Sequence, residues 1–153
     1  MIVYVENDRC IADAIQILTG TRLGRRSMKL VNYGKMAATF INTETGNAYR
    51  IWVSGKINEM IGKMNLDPKE KERQFEIVLR SHSEDVVSAQ RVTIHIPPEE
   101  LPGKPKRTVM CVKCREKVMD NKDIMAKGGP ICLACAKGPY YRIEEEDTDA
   151  IGK

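Results

Sequence analysis

Nothing in the sequence reaches the ~18 consecutive uncharged apolar residues that a membrane-spanning helix needs. The opening run Met1-Ile2-Val3-Tyr4-Val5-Glu6 is too short for the apolar region of a secretion signal. No membrane is called for, and a cytoplasmic protein is expected. Only two histidines occur, His82 and His95, and both stand apart from any cysteine or carboxylate pattern, so neither reads as a metal ligand. With 7 Pro, 11 Gly and 42% hydrophobic residues, the composition excludes collagen-like and disordered chains. An excess of one charge is also missing: 25 basic residues face 21 acidic ones, a net of +4, which argues against nucleic acid as the partner. At 153 residues the chain lies between one large domain and two small ones.

What is present divides unevenly. Ile2-Val3-Tyr4-Val5 is short and rich in β-formers, which predicts a buried strand handing over to a helix capped by Asn7 or Asp8. From Cys10, the apolar residues Ile11, Ala14, Ile15 and Leu18 fall at i, i+3, i+4 and i+7, one stripe of a helix that ends near Gly20. Past the basic loop Arg22 to Arg26, two β-like runs, Met28 to Tyr33 and Met36 to Ile41, flank Gly34-Lys35 and suggest a hairpin or a close strand pair. Turn residues Thr43 to Asn47 lead to Ala48–Val53, so an antiparallel meander is expected across residues 28 to 53. Ile57 to Met64 reads as a short amphipathic helix. Asp67-Pro68 offers a cap and a first-turn proline for a helix running to about Arg80. The alternation of Val92, Ile94 and Ile96 marks a last strand, stopped by Pro97-Pro98. The fold class is therefore α+β, a mixed or antiparallel sheet packed with helices, over residues 1 to 100. Residues 101 to 108, with Pro102, Gly103 and Pro105 among Lys104, Lys106 and Arg107, read as a linker.

Residues 109 to 143 form a separate small unit, followed by an acidic tail at 144 to 153. Four of the five cysteines lie here, as Cys111-x2-Cys114-x17-Cys132-x2-Cys135. Two residues between cysteines let a tight turn aim both sulfurs at one ion, and a second pair completes the tetrahedron that zinc prefers. A segment with so few large apolar side chains would not offset its own ordering entropy, whereas structural zinc supplies ~10 to 16 kcal/mol in finger peptides. One structural zinc is expected, in a treble clef or zinc ribbon: a knuckle, a hairpin through Lys117-Val118-Met119, and a short helix after Gly128-Gly129-Pro130. The neighbouring cations Lys113, Arg115 and Lys137 offset the charge of four thiolates. Pro139 to Ile143 would dock back on the finger.

Several runs carry a resemblance: Val5-Glu6-Asn7-Asp8-Arg9-Cys10-Ile11-Ala12-Asp13-Ala14-Ile15-Gln16 through Thr19-Gly20-Thr21-Arg22-Leu23-Gly24, then Asn32-Tyr33-Gly34-Lys35-Met36-Ala37-Ala38-Thr39-Phe40, and Glu44-Thr45-Gly46 before Arg50. Together they resemble the E-subunit family of formylmethanofuran dehydrogenase. The resemblance implies an α+β core with an auxiliary C-terminal treble-clef finger. It also implies association with the subunits of the molybdenum or tungsten enzyme of methanogenesis that reduces carbon dioxide onto methanofuran. Three departures stand out. The family's His-Gly-His-type opening segment with its cysteine is lacking, Thr21 stands where the family often has cysteine, and Arg115 replaces a common glycine. Of a family cleft built on His and Cys, only Cys10, Asp13 and Lys35 remain, which argues against catalysis by this chain alone.

Three functions compete on these residues. The leading expectation is an accessory zinc-binding subunit whose core forms a homodimer. A zinc-ribbon nucleic-acid adaptor would use Lys104, Lys106, Arg107, Lys113 and Arg115. A small enzyme would use Cys10, placed at a helix N-terminus beside Arg9 where thiols become reactive, with Lys35 in the same cleft.

Overall fold

The computed structural model describes residues 1–64 and 69–143. The chain divides into two compact units: Met1–Pro97 with Leu101–Gly103, and a second that takes Pro98–Glu100 and resumes at Lys104. The first is α+β. Along it run β1 (Ile2–Val5), α1 (Cys10–Thr19), β2 (Met28–Leu30), β3 (Ala37–Ile41), β4 (Ala48–Val53), α2 (Gly55–Lys63), α3 (Lys71–Arg80), α4 (Ser83–Val86) and β5 (Val87–Val92). Asp67 and Pro68, expected to start the third helix, and the acidic run from Glu144 lie outside the described residues.

The five strands form one mixed sheet in the order β2-β1-β3-β4-β5. The expected hairpin or close pair between Met28–Tyr33 and Met36–Ile41 does not form, because β1 inserts between them. Val3 and Val5 pair with Met28 and Leu30 in parallel on one side, and with Phe40 and Ala38 antiparallel on the other. The cause is burial. Ile2, Val3 and Val5 are at most 1% exposed, and each contributes ~1.5–3 kcal/mol when removed from water. Such a strand gains most in the interior of a sheet, while the three-residue β2, with Leu30 exposed, suits an edge. Helix α1 is the crossover that a parallel β1–β2 pair requires. The meander survives only as the hairpin β3–β4, to which β5 adds antiparallel.

The pleat gives β1 two buried faces. Val3 and Val5 meet Met28, Ala38 and Ile15 of α1, with Ile11, Ala12 and Phe40 packed around them. On the opposite face, Ile2, Ile41 and Ala48 are covered by Tyr4, Val92, Ile94 and Ile96. Strand pairing stops at Val92, so the strand expected through Ile96 is shorter. Ile94 and Ile96 keep the predicted alternation because they pack as a strap over the sheet. The stripe of α1 is only half used: Ile15 is buried, whereas Ala14 is exposed and Leu18 is 84% exposed.

Helix entry also differs from expectation. Arg9 occupies the cap position of α1 without a side-chain bond, and Asn7 sets the turn ahead of it, its Oδ1 accepting from the Arg9 amide at 3.1 Å and its Nδ2 donating to the Lys35 carbonyl at 2.7 Å. Gly20 closes the helix in the left-handed region at φ 69°. Helix α2 is capped by Ser54, whose Oγ accepts from the Lys56 amide at 3.2 Å.

One ion pair fixes the end of β1. Arg50 on β4 donates from Nε and Nη2 to the two carboxylate oxygens of Glu6 at 2.6 and 2.8 Å, a bidentate fork. Only 8% of the Glu6 side chain is exposed, against 27% for Arg50. The Arg50 fork holds the Glu6 carboxyl below its ordinary range, against the opposing effect of burial. Because the folded-state pKa is depressed, the pair contributes stability above the unfolded value of ~4.3 and loses it as pH falls through the lower folded value. Replacing Arg50 by Met should cost about 2–3 kcal/mol at pH 7 by leaving a buried carboxylate alone. Urea unfolding from pH 7 to pH 3 should show the gap between wild type and variant closing below about pH 4.

Candidate metal centre

The second unit places all four clustered cysteines around one point. Strands β6 (Thr108–Met110) and β7 (Lys117–Met119) form a hairpin that carries the first pair in its turn. Strand β8 (Asp123–Ala126) pairs with β9 (Gly129–Cys132), which runs straight into α5 (Leu133–Lys137). A knuckle, a hairpin and a helix holding the last cysteine in its first turn make the treble-clef order rather than the ribbon.

Backbone bonds aim each sulfur. The Cys111 amide donates to the Glu116 carbonyl at 2.9 Å and the Arg115 amide to the Cys111 carbonyl at 3.0 Å, closing the first knuckle; the Val112 amide donates to the Pro130 carbonyl at 3.0 Å and so ties that knuckle to β9. Cys132 caps α5, its Sγ accepting from the Cys135 amide at 3.3 Å. Its own amide donates to Cys111 Sγ at 3.3 Å. The four sulfurs lie within 4.8 Å of one another, with Cys114 and Cys132 3.8 Å apart. An ion about 2.3 Å from each of four tetrahedral sulfurs spaces them about 3.8 Å apart. The residues present fit a closed four-sulfur site for a metal ion.

Electrostatics say why an ion is needed. Amide donors, that of Cys114 first and then that of Cys132, draw Cys111 down to about 6. Cys135 is pushed up to about 12, chiefly by its hydrogen-bonded neighbour Cys132 and then by burial. Cys114 is also raised: the Glu116 amide pulls it down, but the sulfur of Cys111 and burial outweigh that pull. One thiolate forms readily, and each further one meets its charge. A divalent cation at the centre removes that conflict.

The finger's cations are partly engaged. Lys113 Nζ donates to the Cys135 carbonyl at 3.4 Å, and Arg107 is ion-paired with the nearly buried Asp123. Lys104, Lys106 and Arg115 are exposed. Pro139 to Ile143 do not fold back onto the finger: Tyr140 is fully exposed and Ile143 is 78% exposed.

The core candidates belong to the first unit. Cys10 is exposed at the first position of α1, and Asp13 is exposed one turn later. Asp13 lines a pocket of about 150 Å³ with Asn7, Asp8 and Gln16, and neither Cys10 nor Lys35 forms part of its wall. Lys35 follows Gly34 on the β2–β3 connection, its Nζ 5.9 Å from the Tyr33 ring, and its backbone is bound to Glu6 and Asn7. Thr21 is buried and closes the end of α1: its Oγ1 lies 2.7 Å from that of Thr19, which donates to the Ile15 carbonyl. Sequence reasoning offered Asn7 only as a helix cap and passed over its bond to Lys35 and the ion pair of Glu6. Two polar residues directly behind an apolar strand were the available signal.

The family model for FmdE, described as molybdenum formylmethanofuran dehydrogenase operon, matches residues 1–95. The chain belongs to the FmdE family. A crystal structure of a tungsten formylmethanofuran dehydrogenase FmdE-like protein from Syntrophus aciditrophicus is 25% identical, with a TM-score of 0.62, and the likeness covers 92% of this chain and 73% of that one. A probable S-adenosyl-L-methionine-binding protein from Archaeoglobus fulgidus is 27% identical over 165 residues, 94% of this chain and 42% of its own length. The chain thus spans less than half of that curated relative. Arg115, read from the resemblance as standing where a glycine is common, has a local account in the structure. It adopts φ 63°, where glycine is unstrained and any other residue gives up ~1 kcal/mol or more.

With metal in the finger, its four sulfurs are shielded while Cys10 is open. Native, metal-loaded protein should take up one equivalent of maleimide, mapping to Cys10 by peptide mass. The other four cysteines should react only after chelation or unfolding.

Proposed function

We propose that this FmdE-family protein is an accessory subunit of one-carbon metabolism that carries one structural zinc ion on Cys111, Cys114, Cys132 and Cys135. The observation that carries the reading is the meeting of four sulfurs, 3.8 Å apart at the Cys114–Cys132 pair, on a small unit attached to a core of this family. Four thiolates with no open position suit a closed zinc site better than a catalytic one, which keeps a position free for water or substrate. Five free cysteines suit a reducing compartment, the cytoplasm. The family's tie to the formylmethanofuran dehydrogenase operon supports a link to that enzyme, with molybdenum or tungsten held by other subunits. The core pairs with a second copy of itself.

Chemistry by this chain alone has thin support, because no described pocket gathers Cys10, Asp13 and Lys35. The nucleic-acid reading is weakened by Arg107 and Lys113, both engaged within the finger. Elemental analysis of reduced protein should return one zinc per chain, colourless in the visible range. Iron at the four sulfurs would absorb there and would overturn the zinc assignment. Mixing the protein with purified formylmethanofuran dehydrogenase subunits should give a complex by gel filtration, and the failure of every such mixture to associate would remove the accessory reading.

A further inference from the structure

Beside the turn between β3 and β4 lies a cavity of about 580 Å³, lined by Phe40 and Tyr49 of the strands and by Asn42, Glu44 and Asn47 of the turn. Its volume falls within the ~300–1,000 Å³ of small-molecule sites. Phe40 and Tyr49 stand directly opposite each other across the two strands, so their rings share one face of the sheet. Phe40 is packed against the core, while Tyr49 is 47% exposed. The result is an aromatic floor, anchored at one ring and open at the other. A flat ring system gains most from such a floor, by stacking.

The turn above the floor is held by its own hydrogen bonds. Asn42 Oδ1 accepts from the amides of Glu44 and Thr45 at 2.9 and 3.2 Å, and the Asn42 amide donates to the Asn47 carbonyl at 2.9 Å. Asn47 Oδ1 accepts from Arg91 Nη2 at 2.9 Å. Both side-chain oxygens are therefore occupied, which leaves the two Nδ2 groups as the donors with which these residues meet a ligand. Two donors read two acceptors. The O6 and N7 edge of a 6-oxopurine presents two acceptors, whereas the 6-amino group of adenine is itself a donor. Glu44 supplies the opposite chemistry: its exposed carboxylate only accepts, the property that holds ribose hydroxyls in dinucleotide sites. No lysine or arginine lines the cavity, and the Met1 ammonium at its edge donates to Thr43 Oγ1 at 3.4 Å. A phosphate group would thus meet the Glu44 carboxylate without a basic side chain to offset it.

We infer that this cavity takes a 6-oxopurine nucleoside, with its ring on Tyr49 and Phe40, its O6 and N7 on the Nδ2 groups of Asn42 and Asn47, and its ribose hydroxyls on Glu44. The site lies wholly within the first unit and is independent of the metal in the finger.

The test is an amide NMR titration of the full, metal-loaded chain with inosine, adenosine, hypoxanthine and inosine monophosphate. Inosine should saturate with a Kd below about 1 mM and shift the amides from Phe40 to Tyr49 first. Adenosine, which differs from inosine at the 6-position of the ring, should bind at least ~5-fold more weakly, and inosine monophosphate should bind no tighter than inosine. Tyr49→Ala should weaken inosine ~5-fold or more; should that variant fail to fold, Tyr49→Leu removes the ring while keeping bulk and gives the same reading. Asn47→Asp keeps an acceptor for Arg91 but loses the donor, so the preference for inosine over adenosine should vanish. Glu44→Gln should weaken inosine and leave hypoxanthine, which has no ribose, unchanged. A lack of saturable shifts with inosine, shifts centred elsewhere, adenosine binding as tightly as inosine, or tighter binding of the monophosphate each overturns the assignment. So does inosine affinity that is indifferent to loss of the Tyr49 ring.

Discussion

Four thiols held within 4.8 Å cannot all shed their protons while only amide dipoles face them. Cys111 is drawn down to about 6 by backbone donors while Cys135 is driven up to about 12 by its neighbours, so the cluster is preorganised for one negative charge and frustrated for four. A cation resolves that conflict. The surrounding unit has little else to hold it: among its described residues only Cys111 and Ile131 are buried apolar side chains, and its two hairpins are two-stranded sheets, which are marginal alone. Metal coordination takes the place that a hydrophobic core occupies in the first unit.

The first unit rests on a different constraint, the burial of β1 on both faces. Strand order, the parallel β1–β2 pair and the crossover by α1 all follow from keeping Ile2, Val3 and Val5 away from water. The Glu6–Arg50 fork then fixes the point where that strand leaves the sheet, and Asn7 sets the turn into α1. Cys10, the residue that the family resemblance brings forward, therefore stands on a firmly placed helix start. The two units solve their stability problems by separate means, one with apolar burial and one with coordination.

Legibility in the sequence followed the range of the interactions. The Cys-x2-Cys pairs, the periodicity of α1, the glycine at its end and the β3–β4 hairpin are local signals, and each appears where its residues place it. Strand order was not legible, since β2 and β3 flank Gly34-Lys35 in sequence and only the burial of β1 decides that it lies between them. The Glu6–Arg50 pair joins residues 44 apart, beyond any window of periodicity. The half-used stripe of α1 was invisible for a related reason. Leu18 fits the apolar repeat as well as Ile15 does, yet it is 84% exposed where Ile15 is buried.

The claim on which the account turns is that metal holds the finger while the core stands by itself. The direct test is a two-dimensional amide NMR spectrum of the full reduced chain, recorded before and after a strong chelator. The account predicts that resonances from Thr108 to Lys137 collapse to unfolded positions while those of β1 to β5 stay in place, with full recovery on adding one equivalent of zinc. A spectrum unchanged by complete metal removal would contradict it.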